Sequence, residues 1–186
     1  MVQSLNQFAL MQPLRLDNRA ASGCFVCGDN MKTIPLTQGY IALVDDYNYE
    51  WLSSMNWSVA IRGKSIYAQQ QRRKDGGLIY MHSLLIECPP GFEIDHKDRN
   101  GCNNQIDNLR IATHSQNQIN CTRPNKTGYR GIYKVGNSWA ANIQKNGKRM
   151  YLGCFQFPEK AAQAYDTQAR ELHGEFARLN FPNNIS

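Results

Sequence analysis

Short runs of apolar and aromatic residues, separated by turns that contain glycine, cover most of residues 34–80 of this 186-residue chain. Runs of this length between turn residues are typical of β-strands. We predict strands at residues 40–44, 57–62, 65–72 and 78–80. Residues 46–55 are predicted to form a short helix or turn, because Tyr49, Leu52 and Met55 recur on one side.

Residues 92–121 show a different pattern, in which two short apolar runs flank a polar loop rich in Asn and Gly. We predict strands at 92–94 and 109–112. The sequence Thr-His-Ser-Gln at 113–116 matches the capping box, so a helix is predicted to begin there. The order strand, loop, strand, helix is the outline of a ββα-metal unit, and a short helix at 81–87 is predicted to precede it.

The last third of the chain predicts three antiparallel strands followed by one helix. The strands are expected at residues 129–135, 139–144 and 149–153. Asn146-Gly147 is a strong signal for a type I′ hairpin turn, and Pro158 suits the first position of a helix. The apolar residues of this helix recur at helical spacing: Ala161, Ala162, Tyr165, Ala169 and Leu172. The chain is therefore predicted to be α+β, with an N-terminal antiparallel β segment, a ββα unit, and a three-stranded antiparallel sheet packed on one helix.

Composition divides the chain into four segments. Residues 1–30 have no clear period and are predicted to be a poorly ordered extension. Residues 31–121 form the domain that contains the ββα unit. A polar linker at 122–127, which includes Pro124, leads to the sheet-and-helix domain at 128–186.

Cysteine usage and hydropathy limit the cellular compartment. Cys24 and Cys27 form a C-x-x-C pair, but one pair cannot close a four-ligand zinc site. Six scattered Cys without a secretory leader favour reduced thiols in a cytosol. No run of eighteen apolar residues is present, so no spanning helix is expected.

Asp95 and His96 follow the first strand of the ββα unit, and Asn117 lies on its helix. Hydrolysis of a phosphodiester needs a base that activates water and a cation that stabilises the leaving oxygen. A neutral imidazole accepts a proton near neutral pH, whereas carboxylate and amide oxygens suit Mg²⁺. His96 is therefore a candidate base, and Asp95 and Asn117 are candidate ligands of Mg²⁺ or Mn²⁺. His114 is more simply interpreted as a solvated residue of the first helical turn.

The residues that carry a resemblance here are Asp95-His96, Asn108-Leu109-Arg110 and Asn117. At this spacing the region resembles the HNH homing endonucleases of phages and introns, in the variant where the later His is Asn. The resemblance implies that His96 is the general base and that Asp95 and Asn117 hold one divalent metal. It also implies that Asn108 orients the loop and the base.

The segment before this core is similar to the corresponding segment of the same family, which usually has His-Arg where this chain has His82-Ser83. His82 is interpreted as a residue that supports the site, and a DNA contact is the alternative. The replacement of Arg by Ser83 removes one phosphate contact that the resemblance would imply.

The net charge of +6 is unevenly distributed along the chain. Residues 1–121 contain 11 basic and 11 acidic residues, whereas residues 122–186 contain 10 basic and 4 acidic residues and carry the whole excess. A basic domain beside a neutral one favours a DNA anchor joined to a catalytic unit.

The residues that carry a second resemblance are Tyr129-Arg130-Gly131-Ile132, Trp139-Ala140-Ala141, Tyr151-Leu152-Gly153, Ala161-Ala162, Ala164-Tyr165-Asp166 and Leu179-Asn180-Phe181. They make the C-terminal domain similar to the plant AP-two/ethylene-response-factor DNA-binding domain, whose sheet enters the major groove. The residues matching the DNA-contacting face of that family are Arg130, Tyr133, Asn142, Gln144, Arg149 and Tyr151. Tyr133, Asn142 and Gln144 stand where plant members usually have Arg, Glu and Arg, so the base sequence recognised must differ.

Together these patterns predict a DNA endonuclease of the mobile-element type, which binds double-stranded DNA through its basic sheet domain. No membrane and no small-molecule cofactor are expected, and the expected location is the cytoplasm of a bacterial or phage-infected cell. The alternative is a DNA-binding regulator with a decayed HNH unit, which the intact Asp95, His96, Asn108 and Asn117 disfavour. RNA binding is disfavoured because no aromatic stacking platform is recognisable.

Overall fold

The structure of the protein is a computed structural model, which describes residues 31–71, 76–121, 127–145 and 147–182. The predicted extension with its Cys24-Cys27 pair lies outside the described residues, as does nearly all of the predicted linker. Within the described part of the chain, no helix is both long and apolar enough to cross a membrane. Helices and small antiparallel sheets are mixed along the chain, which confirms the predicted α+β class.

The elements before the ββα unit are β1 (Met31–Pro35), β2 (Ile41–Asp45), α1 (Asp46–Ser53), β3 (Ser58–Arg62), β4 (Ser65–Gln71), β5 (Leu78–Tyr80) and α2 (Met81–Leu85). β1 pairs with β2, and β3, β4 and β5 form a second antiparallel sheet. The four predicted strands and both helical segments are confirmed. β1 is an addition that the sequence does not predict, because only Ile34 is buried in it and no alternation marks it.

The ββα unit consists of β6 (Glu93–His96), β7 (Leu109–Ala112) and α3 (His114–Asn120). β6 and β7 pair in antiparallel register, so that Asp95 lies opposite Arg110. The predicted capping box is present. The Thr113 hydroxyl accepts from the backbone N–H of Gln116, and the Gln116 side chain accepts from the backbone N–H of Thr113. A local interaction therefore sets the start of α3.

The loop between β6 and β7 is anchored on β2. The backbone N–H of Leu43 donates to the Cys102 carbonyl at 2.8 Å, and the N–H of Asn104 donates to the Leu43 carbonyl at 2.8 Å. At Gly101 a Cβ would lie 2.4 Å from the backbone oxygen of Ile66, so glycine permits the loop to approach β4 closely. These contacts hold the ββα unit against the first two sheets.

The C-terminal domain contains β8 (Ile132–Val135), β9 (Ser138–Lys145), β10 (Lys148–Phe155) and α4 (Pro158–His173). The strands are antiparallel in the order β10-β9-β8. Ala141 and Ile143 of β9 belong to the core shared with α4, whose contributions include Ala161, Ala162 and Tyr165. The three strands, the helix start at Pro158 and the apolar helix face are confirmed, but the first strand begins at Ile132 instead of residue 129.

Gly131 precedes β8 with a φ of +75°, and a Cβ there would lie 2.0 Å from the Tyr165 ring and 2.8 Å from the Asn142 backbone oxygen. Replacing Gly131 with alanine is expected to lower the free energy of unfolding by about 2 to 4 kcal/mol, through backbone strain and overpacking. Gly136→Ala is the matched control, because Gly136 also has a positive φ, +56°, but its Cβ would meet nothing within 4 Å. Urea unfolding measures both variants, and equal losses would contradict the overlap with Tyr165.

Candidate active site

Asp95 and His96 end β6 and point to opposite faces of the strand, as adjacent strand residues do. Asp95 faces α3, where it contacts Asn120, and His96 faces the rings of Tyr67 and His82. Both side chains are buried, with exposed fractions of 5%. A ligand that contacts both must therefore bind at the end of β6, where the following loop begins.

The carboxylate of Asp95 accepts hydrogen bonds from two residues, Arg110 and Asn120. Its Oδ2 accepts from Arg110 Nε at 2.8 Å and forms an ion pair with Arg110 Nη2 at 2.7 Å. Its Oδ1 accepts from Asn120 Nδ2 at 2.9 Å. The same amide donates to the backbone oxygen of His96 at 2.8 Å, so Asn120 ties the end of β6 to α3.

Asn117, which the resemblance pairs with Asp95, donates its Nδ2 to the carboxylate of Glu93 instead. Glu93 lies two residues before Asp95 on the same face of β6 and also contacts His114 Nδ1 at 2.7 Å. The bond from Asn117, and then that from His114, lower the pKa of Glu93. The structure thus brings Asn120, rather than Asn117, into hydrogen-bond contact with Asp95.

Glu93 and Asn120 are not singled out by the sequence analysis, although two simple spacings indicate them. A period of two along β6 places Glu93 beside Asp95, and a spacing of three along α3 places Asn120 beside Asn117. His114 is exposed, as expected, but it is held by Glu93. The face of the unit therefore carries two carboxylates and two amides.

Asn108 holds the loop that follows His96. Its Oδ1 accepts from the backbone N–H of Asp98 at 3.0 Å, and its Nδ2 donates to Asp98 Oδ1 at 3.0 Å and to the Asn103 carbonyl at 2.8 Å. Its own carbonyl accepts from the backbone N–H of Lys97 at 2.8 Å. The side chain therefore braces the start of the loop against its end, in keeping with the orienting role that the resemblance implies.

His96 lies in a cluster of rings with Tyr67, Tyr80 and His82. The His82 ring stacks on Tyr80 at a centroid distance of 5.4 Å and meets His96 edge-on at 5.1 Å. Burial, with repulsion from His96 as the lesser cause, lowers the pKa of His82 to about 4. Burial also lowers the pKa of His96. Within the described residues, His96 Nε2 and His82 Nδ1 are buried without a hydrogen-bond partner.

The depressed pKa of His82 makes stability depend on pH. Folding keeps the ring neutral, so its contribution is complete above pH 6.5, the ordinary value, and is lost as the pH falls toward 4. Between pH 7.5 and 4.5 this group alone should lower the free energy of unfolding by about 2 to 3 kcal/mol. His82→Phe keeps a ring beside Tyr80 but does not titrate. Urea unfolding at both pH values measures the difference, and identical pH dependence in both proteins would refute the assignment.

Arg110 joins the ββα unit to the C-terminal domain. Beyond its bonds to Asp95, Nη1 donates to the backbone oxygen of Glu175 at 2.7 Å. The guanidinium carbon lies 3.9 Å from the centroid of the Phe176 ring, which is itself buried. Arg110, which lies opposite Asp95 in the sheet, therefore connects that carboxylate to the C-terminal domain.

Arg130 departs from the predicted DNA-contacting face. Its Nε donates to the Tyr165 hydroxyl at 3.1 Å and its Nη1 donates to the Cys121 carbonyl at 3.1 Å. Arg178 Nη1 donates to the same carbonyl at 2.8 Å. The two arginines therefore interact with the C-terminal end of α3, where the helix carries partial negative charge. Alternation along the strand does not apply to Arg130 because β8 begins only at Ile132.

The segment that forms this site is similar to known proteins. A sequence model described as HNH endonuclease matches residues 87–119, which include β6, β7 and most of α3. Over 95 residues the chain is 37% identical to protein 3.8 of Escherichia phage T7, an alignment that covers 49% of this chain and 78% of that protein. The chain belongs to the HNH endonuclease family. It is also 40% identical over 104 residues to the uncharacterized HNH endonuclease L560 of Acanthamoeba polyphaga mimivirus, with 54% of each chain covered.

The C-terminal domain of this HNH protein has plant relatives. Over 62 residues it is 47% identical to the ethylene-responsive transcription factor ERF024 of Arabidopsis thaliana, an alignment that covers 31% of this chain and 34% of that protein. The chain thus spans about half the length of the mimivirus relative and a third of the plant relative.

HNH nucleases generally use divalent metal ions, and the donors around Asp95 fit such an ion. Arg110 bonds Oδ2, and Asn120 Nδ2 donates to Oδ1 at 2.9 Å and to Oδ2 at 3.1 Å. Within the described residues no group of three or more His, Cys, Asp or Glu side chains is placed to hold a metal. Asn117 and Asn120 each donate Nδ2 to a carboxylate here, so either amide would have to turn over to offer its oxygen to a metal. Carboxylate and amide oxygens are the hard donors that Mg²⁺ and Mn²⁺ accept.

Proposed function

We propose that this protein is a metal-dependent endonuclease of the homing type that hydrolyses double-stranded DNA, with His96 as the general base. The observation that carries the proposal is the end of β6. There, a buried imidazole with an unpartnered Nε2 adjoins a carboxylate held by Arg110 and Asn120. The requirements of phosphodiester hydrolysis, a base and hard oxygen donors, are met by adjacent residues.

Each residue has a part in this proposal that follows from its surroundings. Because burial lowers the pKa of His96, the ring is neutral at pH 7 and can accept a proton from water. Asn108 keeps the following loop in place, and Asp95 with an amide of α3 binds the metal. When bound, the metal stabilises negative charge on the phosphate oxygens. The basic sheet domain supplies DNA affinity through phosphate contacts, so binding is expected to weaken with salt.

Cleavage of closed circular plasmid and of a random linear duplex pool tests this proposal. Purified protein with Mg²⁺ or Mn²⁺ is expected to nick or cut the DNA, and EDTA is expected to stop the reaction. Sequencing of the ends shows whether the cuts share a site, as homing requires. Binding of duplex DNA without cleavage by either metal would favour the alternative, a regulator with an inactive HNH unit.

The two asparagines of α3 form a matched pair that tests the metal site. Asn117 is half-buried, and we expect Asn117→Ala to weaken Mn²⁺ binding about tenfold or more while changing stability little. Asn120 is buried and satisfies both Asp95 and a carbonyl, so Asn120→Ala is expected to lower the free energy of unfolding by about 1 to 3 kcal/mol. Mn²⁺ titration by electron paramagnetic resonance and urea unfolding measure both. If Asn120→Ala weakened Mn²⁺ binding and Asn117→Ala did not, Asn120 would be the ligand.

A further inference from the structure

One face of the C-terminal sheet is turned away from α4. Ala141 and Ile143 of β9 belong to the core packed against α4, so the residues that alternate with them point outward. The outward residues of β9 include Asn142 and Gln144. We call this side of β8, β9 and β10 the outer face.

The strand register places the remaining side chains of the outer face. Gln144 lies opposite Arg149, and Asn142 lies opposite Tyr151. Tyr133 of β8 lies opposite Ala140 and is 44% exposed, and Tyr151 is 64% exposed. Five of the six residues predicted to contact DNA thus share the outer face, and Arg130 does not.

Charge identifies the kind of partner that suits this face. Residues 128–156 contain five Lys and Arg residues and no Asp or Glu. The outer face itself carries amides, tyrosines and Arg149, whereas the exposed Lys134, Lys145 and Lys148 alternate with its residues and lie on the other side, near the strand ends. A surface with Arg149, with lysines near its edges and without an acidic residue in these strands complements nucleic acid phosphates.

The spacing of the outer face matches that of base pairs. Asn142 and Gln144 are two residues apart on one strand, a distance of roughly 6.8 Å at the usual rise per residue. The rise of duplex DNA is about 3.4 Å per base pair, so a strand that runs along the groove would place the two amides at base pairs about two steps apart. Each amide is therefore able to contact its own base.

Side-chain chemistry then decides which bases are favoured. In the major groove, Asn and Gln pair with adenine N6 and N7, apolar groups contact the thymine methyl, and Arg pairs with guanine. The outer face has Asn142 and Gln144 for adenine and the rings of Tyr133 and Tyr151 for thymine methyls. Arg149 is its one guanine-type contact. We propose that the outer face selects A·T-rich duplex DNA through the major groove, an inference that rests on the proposed function as a DNA endonuclease.

Competition binding with the full chain in EDTA tests the inference, because no cleavage is needed. The probes are an A·T-rich duplex, a G·C-rich duplex of equal length, the A·T-rich duplex with deoxyuridine for thymidine, and an inosine·cytosine duplex. Deoxyuridine removes the thymine methyl alone. Inosine·cytosine pairs keep a minor groove like that of A·T but present a major groove like that of G·C, so they separate base contacts from groove shape.

The A·T-rich duplex is expected to bind about tenfold or more tightly than the G·C-rich and inosine·cytosine duplexes. Deoxyuridine is expected to weaken binding roughly threefold or more. Gln144→Arg should shift the preference toward guanine, whereas Lys148→Gln should weaken all probes alike and leave their ratios unchanged.

Equal affinity for all duplexes, or tighter binding of the G·C-rich duplex, would overturn the inference and leave the nuclease proposal intact. Tighter binding of inosine·cytosine than of G·C would assign selectivity to the minor groove and also overturn it. Preference for single-stranded DNA or RNA, with Tyr133 and Tyr151 as a stacking pair, would overturn it as well. Loss of all DNA binding would count against the proposed function itself.

Discussion

Replacing His96 with alanine is expected to lower the rate of DNA cleavage by roughly 10²- to 10⁴-fold, the range associated with loss of a general base. The residue is neutral at pH 7 because burial lowers its pKa, and its Nε2 has no partner within the described residues. DNA affinity should be unchanged, because the proposed function assigns it to the sheet domain. Single-turnover cleavage and duplex binding measure the two quantities separately.

The control for this experiment is His114→Gln. His114 is 72% exposed in its side chain and contacts Glu93, and a glutamine can keep that hydrogen bond. Cleavage close to the wild-type rate is expected for this variant. If His96→Ala cleaved DNA as fast as the wild type, His96 would not be the base. That result would still leave the protein a nuclease.

Replacing Arg110 with alanine is expected to lower the free energy of unfolding by about 3 to 5 kcal/mol, because it leaves the charge of Asp95 buried and unpaired. Arg110 is 10% exposed and Asp95 is 5% exposed in their side chains. The same change removes the contact with Phe176, so the C-terminal domain should loosen with the ββα unit. Urea unfolding followed by fluorescence and by hydrogen exchange at α3 and α4 measures both effects.

A double-mutant cycle isolates the ion pair from the other contacts of Arg110. Asp95→Asn in the Arg110→Ala background should restore part of the lost stability, since no uncompensated charge remains. The exposed pair of Lys32 and Asp46 is the matched control, because both side chains are more than 40% exposed. Lys32→Ala should cost less than about 1 kcal/mol. A similarly small loss for Arg110→Ala would show that the buried pair is not a structural link.

Features that depend on neighbouring residues could be predicted from the chain alone. The start of α3 follows from Thr113 and Gln116, which satisfy each other's backbone N–H groups without any distant partner. The strands and α4 follow in the same way, because a period of two or of 3.6 residues marks the face that is buried. The order Asp-His, Asn, Asn at its spacing likewise indicates the HNH segment.

Contacts between distant segments could not be predicted in this way. Which amide of α3 reaches Asp95 depends on the rotation of the helix against β6, and that rotation is set by packing. The helical spacing alone allows either Asn117 or Asn120 to approach the strand. The metal roles of Asp95 and Asn117 therefore stay predictions that the Mn²⁺ titration decides.

Apart from β1, local sequence determined the elements and the alternation that groups the outer face of the sheet, because both depend on backbone periodicity over a few residues. Residue type and spacing indicated the HNH segment. Tertiary structure decided that Arg110 links Asp95 to Phe176, and that Arg130 interacts with the end of α3 instead of joining the outer face. Arg110 contacts residues about 65 positions further along the chain, and the position of Arg130 depends on where β8 begins, so no local period encodes either outcome.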